Sequence, residues 1–96
     1  MIKIVVKSYI KADKMDEYLA LVKTLVEATN KNDAGCIKYE LFQAVDNPQI
    51  MTMIEEWESQ DALDKHSSAP HFTQIIPQLG QFNEKPGDMN IYKKVF

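Results

Sequence analysis

From Met15 to Thr29 the apolar side chains recur every three or four positions: Met15, Tyr18, Leu19, Val22, Leu25, Val26 and Thr29. That spacing lines them along one face of a helix of about five turns. Asp13 stands where an N-cap is expected, and Asp16 and Glu17 fall in the first turn, where acids favour the helix dipole. "NDAG" closes the segment, and Gly35 suits the left-handed position past a helix end. A helix with one apolar face must bury it against another layer. The residues just ahead supply that layer. "IKIVVKSYI", Ile2 to Ile10, is rich in β-branched side chains and reads as a strand. Ile2, Ile4, Val6, Ser8 and Ile10 share one of its faces; Lys3, Val5, Lys7 and Tyr9 share the other.

The remaining segments extend this β-α start. "CIKYELFQAV" and "IMTMIEEWE" read as two strands of a hairpin, turned by "DNP". Ser59 caps a short helix that carries Ala62, Leu63 and His66 inward. Ser68 and Pro70 suit a second helix start, followed by the stripe Phe72, Ile75, Ile76 and Leu79. Pro77 inside that stripe predicts a kink or an early end, and Gly80 a stop. "EKPGD" reads as a turn and "MNIYKKVF" as a last strand. The order β-α-β-β-α-β, with its second helix in two pieces, is an α+β, ferredoxin-like plan: one antiparallel sheet with its helices on one face.

The strands are apolar on both parities. Ile54 opposes Met53 and Trp57, and Tyr92 and Phe96 oppose Ile91 and Val95. A bare sheet face of that kind is a patch that monomers avoid, so a homodimer joined through the sheet faces is expected. Ninety-six residues allow a single domain, 1–96. The net charge of −3 and the absence of any arginine argue against a nucleic-acid partner and remove the fork-shaped donor that grips phosphates. The one cysteine, Cys36, cannot build an internal disulfide or a multi-thiolate metal site. No apolar run approaches the ~18 residues of a membrane span, and the N-terminus is too short and alternating for a signal segment. A soluble, cytoplasmic protein with no membrane partner is the expectation.

The candidate chemistry lies in "MIEEWESQDALDKHSSAPHF". Met51, Met53, Glu55 and Trp57 share one strand face. A carboxylate among apolar neighbours finds a partner or takes up a proton. His66, on the inner stripe of the next helix, can approach Glu55 and Trp57, and a Glu55–His66 pair would raise the histidine pKa. His66 and His71, five apart, would diverge by ~140° on one helix, Pro70 interrupts the segment, and no Cys/His cluster accompanies them, so no metal is expected unless the loop geometry brings them together. No nucleophile elbow, phosphate loop or dinucleotide fingerprint is present, so no cofactor is expected either. Structural roles compete throughout. Trp57, Tyr39 and Phe72 can be core, Glu55 a dimer-contact or strand-edge acid, and His66 a donor to a backbone carbonyl.

Taken together, "DAGCIKYELFQ", "DNP" and "EEWESQDALDKHSSAPHF" resemble the antibiotic biosynthesis monooxygenase (ABM) domain family, specifically its small quinol-monooxygenase-like members. The shared pattern is Gly-Cys-x-x-Tyr on the second strand, Glu-x-Trp on the third, then a helical His, a small residue and His-Phe. Here it falls on Gly35, Cys36, Tyr39, Glu55, Trp57, His66, Pro70, His71 and Phe72, and the resemblance spans the chain. It implies a dimeric α+β barrel with a pocket between sheet and helices in each protomer. It also implies oxygenation of a small quinol or phenolic aromatic by O₂, without metal or flavin. Under that reading His66 is the base and Glu55 orients it, while Trp57, Tyr39, Phe72, Met53 and His71 hold the substrate. Relatives in the wider superfamily degrade haem or isomerise a signalling sugar. A non-catalytic dimeric ligand-binding or stress-response module, or an isomerase, is therefore the alternative.

Overall fold

A computed structural model describes residues Met1–Phe96. Strands β1 (Ile2–Ile10), β2 (Cys36–Gln43), β3 (Ile50–Trp57) and β4 (Asn83–Lys93) form one sheet in the order β2-β3-β1-β4. All three neighbouring pairs are antiparallel. Helix α1 (Met15–Asn32) links β1 to β2, and α2 (Gln60–Ser68) with α3 (Pro70–Leu79) links β3 to β4. This is the βαββαβ ferredoxin-like layout expected from the order of stripes and alternations.

The core lies between the helices and one sheet face. Met51, Met53, Glu55 and Trp57 are buried on β3, Ile4 on β1 and Tyr39 on β2. Tyr18, Val22, Leu25 and Thr29 of α1 close over them, as the helical period requires. Register places Glu55 between Ile4 of β1 and Tyr39 of β2, deep in the sheet's centre. The opposite face has no helix over it, and Phe42 and Tyr92 there are about half exposed at 47% and 51%. No helix is long and apolar enough to cross a membrane.

Local signals held in some places and yielded in others. Ser59 caps α2, its hydroxyl accepting from the Ala62 N–H at 3.2 Å. Pro70 opens α3, where its missing N–H costs nothing. Gly35 takes φ +83° in the turn after α1. Asp13, in contrast, is not an N-cap: it sits in a 3-10 turn, Ala12–Lys14, and α1 begins at Met15 with no side-chain cap. Pro77 does not end α3, which runs on to Leu79; the α-helix stops at Gly80 as expected, and Gly80 opens a 3-10 turn, Gly80–Phe82. "EKPGD" is not a turn either. It lies inside β4, where the pairing with β1 shifts register between Lys7 and Ile10. Pro86 is tolerated because β4 is an edge strand, and at Gly87 any Cβ would run into the Lys7 carbonyl. These residues build a bulge.

Candidate active site

Between the sheet and the helices lies a cavity of about 400 Å³, and 13 of its 19 lining residues are hydrophobic. Met53 and Glu55 of β3 and Tyr39 of β2 meet Phe72 of α3 and His66 of α2 on its wall. Met89 and Ile91 of β4 complete one side, with Ser8, Ser67 and Asn83 as minor polar contributors. An apolar chamber with a few convergent ionisable groups is the usual form of a small-molecule site.

His66 is 2% exposed and packed among rings. Its imidazole lies 4.5 Å from the Trp57 ring centroid, tilted by 36°. Phe72 and Tyr39 approach edge-on at 4.9 and 5.1 Å. Trp57 itself is fully buried and does not line the cavity; it backs the histidine. So the predicted approach of His66 to Trp57 is present, but Trp57 is not a cavity-wall residue.

The expected Glu55–His66 pair is not formed. Glu55 Oε1 accepts the Trp57 indole N–H at 3.0 Å. That bond follows from strand parity, because residues two apart on β3 project from the same face. His66 Nδ1 instead meets Asp33 Oδ2 at 2.5 Å, and the same oxygen meets His71 Nε2 at 2.9 Å. His71 therefore stands behind His66 and does not line the cavity as a substrate contact. The sequence reading missed Asp33. It follows the last turn of α1, where its backbone N–H bonds to the Thr29 carbonyl, and only the tertiary fold brings it to α2.

The separation of the two histidines by five positions was also misleading. They are on different helices, and Pro70 restarts the chain so that both rings converge on one carboxylate. Asp33, His66 and His71 thus form a cluster of the type that can ligate a metal. The observed O···N spacings are hydrogen-bond lengths, shorter than the ~3.3 Å between neighbouring ligands of a tetrahedral zinc with Zn–N near 2.0 Å.

Burial sets the ionisation of the two cavity groups. It pushes Glu55 up to about 7, against the Trp57 hydrogen bond, which pulls it down. Burial lowers the His66 pKa below its ordinary value, and the Asp33 hydrogen bond and charge oppose this without reversing it. A raised His66 pKa, expected from a glutamate partner, is thus replaced by a lowered one. Tyr18 is pushed up to about 12 and Tyr39 upward as well, both chiefly by burial, so neither phenol serves as a base near neutrality. Burial thus favours the neutral form of both groups, the free imidazole of His66 and the protonated carboxyl of Glu55. His66 Nε2, shielded from solvent, has no hydrogen-bond partner.

Comparison with known proteins agrees with this architecture. A conserved protein from Methanosarcina mazei Go1 superposes with a TM-score of 0.93 at 39% identity, covering 98% of this chain and 92% of its own. A solved structure described as an antibiotic biosynthesis monooxygenase gives 0.90 at 30% identity, covering 99% of both chains. An uncharacterised protein of Synechocystis sp. is 30% identical over 84 residues, or 88% of this chain; the chain spans only 56% of that relative's length. The family model for antibiotic biosynthesis monooxygenase matches residues 1–78. The chain belongs to the antibiotic biosynthesis monooxygenase family.

Proposed function

We propose that this protein is a monooxygenase of small quinols or related phenolic aromatics, with O₂ as the oxidant. The observation that carries this reading is a buried imidazole and a buried carboxyl, His66 and Glu55, on the wall of one apolar cavity. In such a site His66 Nε2 takes the phenolic proton, leaving an electron-rich quinolate. The quinolate passes one electron to O₂, and the resulting radical pair combines at a ring carbon. The oxygenated carbon then loses its hydrogen as a proton while the O–O bond breaks, the C–H electron pair forming the new C=O. One oxygen stays on the ring and the other departs as water.

The balance closes on the substrate. A quinol and O₂ give a hydroxyquinone and water, and all four electrons that reduce O₂ come from the quinol. The chemistry therefore requires no flavin or metal as reductant. Glu55 keeps one carboxyl oxygen bonded to Trp57 and has a second that can hold a proton for the departing oxygen. Met53, Tyr39 and Phe72 enclose the ring and limit water around the radical pair. The working unit is a homodimer joined through the uncovered sheet faces.

Oxygen uptake by the purified protein with a panel of one- and two-ring quinols tests the reading. Consumption of one O₂ per quinol, with a hydroxyquinone as product, supports it. Saturable quinol binding without uptake would instead favour a ligand-binding module.

A further inference from the structure

Asp33 and His71 lie outside the cavity, yet Asp33 Oδ2 bridges His71 to the one histidine on its wall. We propose that they are positioning residues of that histidine: a single carboxylate oxygen, held by two imidazoles, fixes His66 as its Nδ1–H tautomer and leaves Nε2 as the acceptor. The proposal rests on His66 being the base of the oxygenation above.

An ionised carboxylate only accepts hydrogen bonds. Both ring nitrogens that meet Asp33 Oδ2 therefore carry hydrogens, at 2.5 Å from His66 and 2.9 Å from His71. A neutral imidazole has one N–H, so placing it on Nδ1 empties Nε2 of hydrogen. That is the atom found buried and without a partner. Without the aspartate the two tautomers would compete, and the Nε2–H form could not take a substrate proton.

The second imidazole has a separate task. The Asp33 side chain is only 8% exposed, and a carboxylate taken out of water needs hydrogen-bond donors in its place. His66 supplies one and His71 the other. Side-chain exposure rises outward through the series, 1% at His66, 8% at Asp33 and 14% at His71, so the outer histidine caps the network against solvent. When His66 takes the substrate proton, the new positive charge lies beside Asp33, which retains the proton locally for return to the departing oxygen.

The backbone holds this geometry from three directions. Asp33 is fixed at the end of α1, His66 near the end of α2, and His71 in the first turn of α3. The titratable groups around the network are Tyr39 and Cys36 on β2 and Glu55 on β3. Cys36 and Tyr39 both sense the charges of Asp33 and Glu55.

Nitrogen-15 NMR of the histidine rings, combined with turnover, tests the proposal in wild type, Asp33→Asn, His71→Gln and His71→Leu. Wild-type His66 should be neutral at pH 7 with its hydrogen on Nδ1. Asp33→Asn should bring in the Nε2–H form and lower kcat by ~10²–10⁴-fold with KM little changed. It should also move the acidic limb of the pH profile downward, because the charge favouring imidazolium is gone. His71→Gln keeps a donor and should retain the tautomer, whereas His71→Leu should lose about tenfold or more in kcat.

Wild-type His66 protonated on Nε2, or an Asp33→Asn profile that keeps both tautomer and acidic limb, would overturn the proposal. So would stoichiometric Zn²⁺ binding that shifts both ring spectra, since the triad would then be a metal centre. If the tautomer changes as expected while wild type turns over no quinol, positioning stands and the oxygenase reading fails. Quinol turnover with the wrong wild-type tautomer separates the two in the opposite sense.

Discussion

Glu55 and His66 answer to pH in opposite senses because burial disfavours the charged form of each. For Glu55 the folded pKa, about 7, lies above the unfolded value near 4.5. The folded state then holds the extra proton between those values. Its contribution is full below about 4.5 and is lost as pH rises through 7, on the order of 3 kcal/mol in total. Glu55→Gln keeps an acceptor for the Trp57 N–H and has no proton to lose. Its melting temperature relative to wild type should therefore climb between pH 5 and pH 8. Parallel melting curves across that range would contradict the buried-acid assignment. His66 has its folded pKa lowered, so it adds no penalty above ~6.5 and costs stability as pH falls below that value. Catalysis follows the same groups. Turnover should fall on the acid side with an apparent pKa below 6.5 and on the alkaline side near 7, where Glu55 loses its proton. His66→Ala should lower turnover ~10²–10⁴-fold on folded protein, and the pH profile of the residual activity should lose its acidic limb.

Between elements, the α1–β2 connection sets the site. Gly35 has φ +83°, and a Cβ there would lie 2.5 Å from the Ala62 Cβ of α2. Gly35→Ala combines left-handed strain of ~1–2 kcal/mol with that collision. It should lower stability by ~2–4 kcal/mol in urea denaturation. Gly35→Ala with Ala62→Gly should recover only the collision part; full recovery would mean that backbone strain is negligible. The same connection shows what was legible beforehand. The stripe Met15–Thr29 and the alternation on β3 state their own periods, so the element order and the inward face of Glu55 and Trp57 could be read from them. Asp33 belongs to no period. Its role depends on a partner 33 positions away, and nothing local distinguishes it from a helix-ending acid. Local reading also failed at "EKPGD", because Pro and Gly mark a turn only until a long-range strand pairing claims them. The second helix start at Pro70 was legible, but which way it would turn His71 was not: a spacing of five says nothing about two rings meeting on a carboxylate from a third element.

At the scale of the molecule, the sheet separates two apolar demands. One face forms the cavity floor. The other presents Val5, Tyr9, Phe42, Ile54 and Tyr92 with no helix above them. At the rim Lys3 and Glu56 pair at 3.9 Å, exposed enough to contribute little. Lys7, Glu40, Asp88 and Asn90 are interspersed among these side chains, so the face is mixed; its exposed aromatics suit a second copy, which two such faces in contact would cover. Ile54 lies at the centre of this face, on β3, immediately before Glu55. Sedimentation equilibrium at micromolar concentration should therefore give twice the mass of one chain. Ile54→Asp should shift that mass toward the monomer, because an unpaired carboxylate is costly in an apolar interface. Since β3 carries Met53 and Glu55 on its other side, dissociation should also loosen the cavity floor. Specific activity should then fall on dilution through the dissociation range, and more steeply for Ile54→Asp than for wild type. A folded wild-type monomer at micromolar concentration, with activity independent of dilution, would remove both the dimer and its link to the site.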